Sequence, residues 1–168
     1  MAWRIVIADN GSTDKTLEIA EILAEQYQGV DCLSIQMRGR GRALRTAWLN
    51  SSADIVSYMD LDLSTELSMF PVLVDAIGVE GYDIAIGSRL KEGARVIGRS
   101  FKRELMSRSY SLIFRIIFLT DFIDAQCGFK ALSRRTAQEI VPLVRNTGWF
   151  FDTELLILAE KRGFRIAE

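Results

Sequence analysis

Histidine is absent from the 168 residues. That removes Ser–His–Asp and Cys–His constellations, imidazole metal ligands and imidazole acid–base catalysis. Any metal must therefore be held by carboxylates, which favours hard ions such as Mg²⁺ or Mn²⁺. Cysteine is scarce. Cys32 and Cys127 lie far apart, in no C-x-x-C or C-x-x-H arrangement. Neither a zinc cluster nor a disulfide framework is supported, and reduced thiols in a cytoplasmic setting are expected. No uninterrupted run of about 18 apolar residues is there to span a bilayer. The amino end, Met1-Ala2-Trp3-Arg4-Ile5-Val6-Ile7, lacks the apolar stretch and cleavage site of a signal peptide. An excess of one charge sign is missing as well: 21 Lys and Arg face 22 Asp and Glu. The chain as a whole is not a nucleic-acid-binding polycation.

What is present is globular. Apolar residues make up 49% and charged residues 26%, enough for one domain with a real core over 1–168. The charge is unevenly spread. Arg89, Lys91, Arg95, Arg99, Lys102, Arg103, Arg108 and Arg115 are opposed within their segment only by Glu92 and Glu104. The segment carries +6, which leaves −7 for the rest of a chain of net charge −1.

Apolar, β-branched runs at 3–8, 31–36, 54–59 and 82–87 predict strands, each followed by polar or glycine-containing loops. Helical spacing follows from Asp14, from after the loop Arg38-Gly39-Arg40-Gly41 to about Ser52, and over 66–78 with Pro71 as its weak point. The pattern is β-loop-α, repeated. It predicts an α/β fold with a mostly parallel central sheet flanked by helices, whose ligands bind beyond the carboxyl ends of the strands. The second half reads as an amphipathic helix over 100–119, a turn and strand at 124–130, a helix over 133–144 and a last helix from Trp149 to about Arg162. The chain closes on Ile166-Ala167-Glu168, within or before another strand.

Four groups of residues can carry chemistry. Asp60 and Asp62, one residue apart after a strand, can chelate one divalent ion together with a diphosphate. Two acids there also serve as ordinary loop residues or helix caps. Asp9, in Asp9-Asn10-Gly11-Ser12, can accept from a nucleobase N–H or a ribose hydroxyl, while an Asx turn and a cap at Thr13 or Asp14 explain several of the same residues. Arg89 and the basic stretch after it suit phosphate, because guanidinium forks donate in pairs. The helix beside them has the pattern of an element lying on anionic headgroups, and equally that of a surface helix with a solvated charged side. Asp152, after three aromatics, either caps the last helix or sits in the pocket as a base or an orienting carboxylate. The loop arginines Arg38, Arg40, Arg42 and Arg45 suit a nucleotide diphosphate and equally read as solvated loop charges, with the solvated reading ahead for Arg38 and Arg42. Cys127 reads as packed.

Six segments in order, ADNGSTD (8–14), GRGRALRTA (39–47), MDLDLS (59–64), IAIGSR (84–89), DAQCGFKALSR (124–134) and WFFDTELLILA (149–159), resemble the family 2, GT-A type glycosyltransferases. Within these, the polyprenyl-phosphate branch is most similar: dolichyl-phosphate mannose synthases and, above all, dolichyl-phosphate β-glucosyltransferases. The resemblance implies a GT-A fold and an inverting, metal-dependent transfer of glucose or mannose. The donor is UDP-glucose or GDP-mannose. The acceptor is a polyprenyl phosphate at a membrane surface, on the cytosolic face. Carried over residue by residue, it implies nucleotide-sugar contacts at Asp9, Ser12 and Arg40. Asp60 and Asp62 hold the Mg²⁺ or Mn²⁺ and the donor. Arg89 lies near the phosphates. Arg103 and Ser107, four apart on one helix face, take the acceptor phosphate. Asn10 stands where the family has a second acid, and Ser64 where mannose synthases often have Gln.

The family begins with a further strand and a P-x-Y-N-E-type loop, and its final strand usually continues. The resemblance thus implies a piece of a larger catalytic domain, with an exposed sheet edge and a tendency to homo-oligomerise. Two other enzyme outcomes stay open: a family 2 transferase with a non-lipid glycan acceptor, and an inactive fragment. A phosphoacceptor signalling module lacks its paired acids after the first strand and its late lysine.

Overall fold

A computed structural model of the chain describes residues 2–62, 64–98 and 100–168. Met1, Leu63 of the D-x-D segment and Arg99 of the basic stretch lie outside the described residues. Contacts divide the chain into two compact units: 1–51 with 145–151, and 52–144 with 152–168.

The first unit is built on a parallel pair, β1 (Ile5–Asp9) and β2 (Val30–Ser34), connected through α1 (Thr16–Gln26). The Asp14 carboxylate accepts from the Thr16 N–H at 3.0 Å and from its hydroxyl at 2.6 Å. Asp14 thus closes the first turn from outside, and the helix starts two residues later than its spacing suggests. The same bonds hold the Asp14 carboxyl below its ordinary range. α2 (Arg40–Leu49) also packs on this pair. Gly41 is what lets it approach Phe151: a Cβ at position 41 would stand 2.6 Å from the Phe151 ring carbons. Trp48, one side of the same helix, is buried with its ring centroid 6.2 Å from that of Phe151.

The second unit holds a four-stranded sheet in the order β3 (Ile55–Met59), β5 (Phe129–Ser133), β4 (Ile84–Ile86), β6 (Ile166–Ala167). β4 and β6 pair in parallel, as expected of this sheet. β5 lies between β3 and β4 and runs antiparallel to both, with Met59 opposite Phe129 and Ile86 opposite Lys130. Apolar periodicity carries no strand direction, so this insertion was not readable from it. β3 and β4 consequently point the same way, and their carboxyl ends meet the start of β5.

α3 (Phe70–Gly78) covers this sheet with Leu73, Ala76 and Ile77 against Ala85, Phe129 and Ala131. Pro71 is not the expected weak point. It stands in the first turn of α3, after a 3-10 turn at Leu67–Met69, where no amide proton is needed. α5 (Arg134–Ile140) is shorter than its spacing suggests, because Val141–Leu143, with Pro142, tighten into a 3-10 turn. α6 (Phe151–Lys161) contributes the fully buried Leu155, Leu156 and Ala159.

α4 (Phe101–Phe118) is capped by Ser100, whose hydroxyl accepts from the Arg103 N–H at 3.4 Å. It ends at Leu119 in the left-handed conformation, φ 51°. Only Ser111 and Phe114 of this helix are buried. Leu105, Met106, Leu112, Ile113, Ile116 and Ile117 are each 56–65% exposed, so most apolar positions of this helix face outward. No helix among the described residues is long and apolar enough to cross a membrane.

The closeness of α2 to Phe151 gives a stability prediction. Gly41→Ala is expected to cost about 1–3 kcal/mol, the usual range for overpacking. Urea unfolding, followed by tryptophan fluorescence, should show a lowered midpoint. An unchanged midpoint would refute the close contact.

Candidate functional site

The carboxyl ends of β3 and β4 and the start of β5 form one edge of the second unit. Asp60 follows β3 directly. Its N–H donates to the Gly128 carbonyl at 3.0 Å, and a Cβ at position 128 would stand 1.7 Å from Asp60 Oδ2. A side chain at 128 would therefore have to displace the Asp60 carboxylate from the space it occupies. Asp62 is exposed, and its Oδ1 accepts from the Ser64 N–H at 3.0 Å in a short Asx turn. These two side chains offer only hard carboxylate oxygens, the donor set suited to Mg²⁺ or Mn²⁺. No group of three His, Cys, Asp or Glu side chains converges on a metal position among the described residues. A metal held here would complete its shell with oxygens from ligand and water.

Arg89 follows β4 through Gly87 and Ser88. The Gly87 N–H donates to the Phe129 carbonyl at 2.9 Å, fixing the strand end against β5. The Ser88 hydroxyl accepts from the N–H groups of Leu90 and Lys91 at 3.3 and 3.1 Å, which turns the chain. Arg89 then donates from Nε and Nη2 to the two oxygens of Asp124, each at 2.9 Å, and from its backbone N–H at 3.0 Å. The Asp124 side chain is 3% exposed and that of Arg89 40%. Burial alone would push the Asp124 carboxyl up; the Arg89 bonds and charge outweigh it and hold the group below its ordinary value. Arg89 is in turn held above its ordinary value, first by its bond to Asp124, with Asp60 adding a smaller field. The Glu168 carboxylate accepts from the N–H groups of Ile123 and Asp124 at 2.8 and 2.7 Å and steadies the same turn.

Asp152 is not on this surface. It is fully buried in the first turn of α6, with Oδ1 3.2 Å from Lys130 Nζ and accepting from the Tyr58 hydroxyl at 2.7 Å. Of the roles open to it in the sequence, this placement fits the orienting carboxylate and not a base in contact with substrate. Cys127, also buried, has its thiol pushed up by burial and by Asp124, which fits a packed and unreactive group. Arg103 is exposed and Ser107 half-buried on α4, one turn apart.

The first unit carries the remaining predicted residues. Asp9 ends β1, only 4% exposed, and its Oδ1 accepts from the N–H of the exposed Ser12 at 3.3 Å. Asn10 Oδ1 accepts from the Gly39 N–H at 2.7 Å and ties the β1 loop to the start of α2. Arg40, the first residue of α2, lies with its guanidinium 5.0 Å from the Trp149 ring centroid.

Residues 1–141 match the sequence profile described as Glycosyl transferase family 2. The chain belongs to glycosyltransferase family 2. It is 38% identical over 168 residues to the glycosyltransferase AglD of Haloferax volcanii, covering 99% of this chain and 27% of that protein. The dolichyl-phosphate beta-glucosyltransferase of Saccharomyces cerevisiae is 33% identical over 184 residues, with 99% of this chain and 55% of that protein covered. Among solved structures, glucosyl-3-phosphoglycerate synthase from Mycobacterium tuberculosis, in complex with Mn²⁺, uridine-diphosphate and glucosyl-3-phosphoglycerate, superposes with a TM-score of 0.68. That match is 27% identical and covers 98% of this chain and 57% of the other. The expected GT-A fold is met. This chain spans between about a quarter and somewhat over half of these proteins.

Asp124, Lys130 and Tyr58 were not singled out from the sequence. Lys130 had a signal: a lone lysine inside the apolar run Phe129–Leu132 must be either at an edge or paired. Asp124 had none, since its partner is 35 residues away.

The Arg89–Asp124 pair sets an acid limb. Because the folded-state pKa of Asp124 is depressed, its stabilisation is complete above about pH 4 and is lost as pH falls through the lowered value. Asp124→Asn should cost about 2 kcal/mol at neutral pH, within the range for hydrogen bonds to charged groups and discounted for the partial exposure of Arg89. Unfolding midpoints measured from neutral to about pH 3 should converge for the two proteins at the acid end.

Proposed function

We propose that the chain binds a nucleotide-diphosphate hexose, UDP-glucose or GDP-mannose, and takes part in its inverting transfer to a polyprenyl phosphate. The observation that carries this reading is the Asp60 carboxylate seated on Gly128 at the sheet edge that also carries Arg89. The relatives named dolichyl-phosphate beta-glucosyltransferase support glucose as the sugar and a lipid phosphate as the acceptor. The glucosyl-3-phosphoglycerate synthase structures with Mn²⁺ and UDP-Glc support a uridine donor and a divalent metal.

In this proposal Asp60 and Asp62 hold Mg²⁺ or Mn²⁺ together with the donor diphosphate. When bound, the ion supplies positive charge against the departing nucleotide diphosphate. Asp9 and Ser12 take the nucleoside, and Arg40 serves the diphosphate. Arg89, with two nitrogens on Asp124, is a rigid positive group at the same edge as Asp60. Arg103 and Ser107 grip the acceptor phosphate from one helix face. That phosphate is largely ionised near neutral pH, with its second pKa about 6. It can attack the anomeric carbon without a strong base, so the missing histidine is no obstacle, nor is the burial of Asp152. Attack opposite the leaving diphosphate inverts the anomeric centre.

α4 supports a lipid over a soluble acceptor. Its outward side presents Leu105, Met106, Leu112, Ile113, Ile116 and Ile117, with Lys102, Arg103 and Arg108 toward the amino end. An apolar strip flanked by cations suits an anionic membrane surface. The second reading, a transferase with a small phosphorylated acceptor, is supported by the glucosyl-3-phosphoglycerate synthase complexes with phosphoglyceric acid.

Calorimetric titration tests the donor site. UDP-glucose or GDP-mannose should bind only with Mn²⁺ present, and Asp62→Asn should lose at least tenfold in affinity, about 1.4 kcal/mol. Metal-independent binding, or binding unchanged in the variant, would sink the assignment of Asp62. Co-sedimentation with phosphatidylserine-containing vesicles separates the two acceptor readings. The protein should pellet with the vesicles, and Ile113→Ser with Ile117→Ser should release it at least severalfold, since each apolar side chain contributes about 1.5–3 kcal/mol when fully buried. Failure to pellet favours the soluble acceptor.

A further inference from the structure

Inside the second unit lies a charged cluster that the transfer chemistry does not use. Lys130 and Asp152 are both fully buried, 3.2 Å apart. The Lys130 ammonium also donates to the Tyr58 hydroxyl at 3.3 Å and to the Cys127 carbonyl. The ammonium thus has two hydrogen-bond acceptors beside the Asp152 carboxylate, and Nζ lies 5.5 Å from the Tyr58 ring centroid. The Tyr58 hydroxyl in turn donates to Asp152 Oδ1 at 2.7 Å. Burying an ion pair is poor value for stability alone, because the desolvation of two charges offsets most of their attraction, and apolar residues of similar volume do as well or better. What the pair does is better sought in what it fixes.

It fixes the turn before β5. The Cys127 carbonyl is gripped by Lys130, and the Gln126 side chain donates to Thr153 Oγ1 at 2.8 Å, next to Asp152 on α6. The following residue, Gly128, is the seat of Asp60: its carbonyl takes the Asp60 N–H, and its bare Cα accommodates the Asp60 carboxylate. Tyr58 meanwhile lies two residues before Asp60 on β3. Asp60 is therefore held from both sides by groups that end on the same buried ammonium.

We propose that Lys130, Asp152 and Tyr58 are positioning residues for Asp60, setting the metal affinity of the site without touching metal or sugar. This rests on the reading of Asp60 as a metal ligand. A lysine donating to a carbonyl beside the seat and an aspartate fixing that lysine form a relay of orientation. Outer partners of this kind are commonly worth ten- to a hundredfold in metal affinity.

The test measures Mn²⁺ affinity in the presence of UDP by calorimetry, well below the unfolding midpoint of each protein. The variants are Asp60→Asn, Tyr58→Phe, Asp152→Asn, and Lys130→Met combined with Asp152→Leu. Asp60→Asn should abolish Mn²⁺-dependent UDP binding. The double variant replaces the ion pair by apolar groups; it should keep its unfolding midpoint and yet bind Mn²⁺ about tenfold more weakly. Tyr58→Phe, which keeps the ring, should move affinity in the same direction and remains informative if the double variant does not fold. Lowered midpoints with unchanged Mn²⁺ affinity would make the cluster purely structural and overturn the proposal. Asp152→Asn with Mn²⁺ and UDP affinity intact but transfer abolished would overturn it differently, by making Asp152 a reacting group. If the unaltered protein shows no Mn²⁺-dependent UDP binding, or Asp60→Asn binds as well as it does, the metal-site reading itself fails and the proposal falls with it.

Discussion

The strand β5 is the constraint on which the second unit depends. It is bonded to β3 on one side and to β4 on the other, against the direction of both. An antiparallel strand between two parallel ones brings its own beginning to their ends. Residues 124–128 are thereby delivered to the place where β3 hands over to Asp60 and β4 to Arg89. The turn supplies Asp124 to Arg89, the Gly128 seat to Asp60 and the Cys127 carbonyl to Lys130. A sheet with only parallel strands would leave those two strand ends facing helices. Here they face a polar turn, and the chemistry of the edge follows from that replacement.

The same edge shows how charge is tolerated at different depths. Arg89 and Asp124 are half in water and half out, and their bidentate geometry satisfies the buried member. Lys130 and Asp152 are wholly inside, where the ammonium faces its counter-charge and donates to the Tyr58 hydroxyl and the Cys127 carbonyl. Asp62 is exposed and needs no compensation beyond its own turn. Asp60 lies between these extremes, half-buried and anchored through its backbone N–H on the Gly128 carbonyl.

Much of this was legible in the residues. The runs at 3–8, 31–36, 54–59 and 82–87 overlap β1 to β4, because buried strands must be apolar and their ends must be polar to turn. Asp60, Asp62 and Arg89 were found by position, just past strand ends. Three things were hidden. Strand direction leaves no trace in periodicity, so the sense of β5 had to be seen. Contacts such as Arg89 to Asp124 or Lys130 to Asp152 join residues far apart in the chain, and spacing alone cannot pair them. The side that α4 turns to solvent was the third, because its pattern left two readings open and only the fold shows its apolar residues facing outward.

The buried lysine has a consequence for how this fold can change over generations. Losing either Lys130 or Asp152 alone strands the other charge in an apolar interior, whereas exchanging both for apolar residues of similar volume is often neutral for a buried ion pair. The two positions thus behave as a lock with two tumblers. Single substitutions fall into a valley between two viable sequences, and drift at one site is vetoed by the occupant of the other. A lineage that acquired this pair would have difficulty leaving it by single steps, whatever it came to be used for.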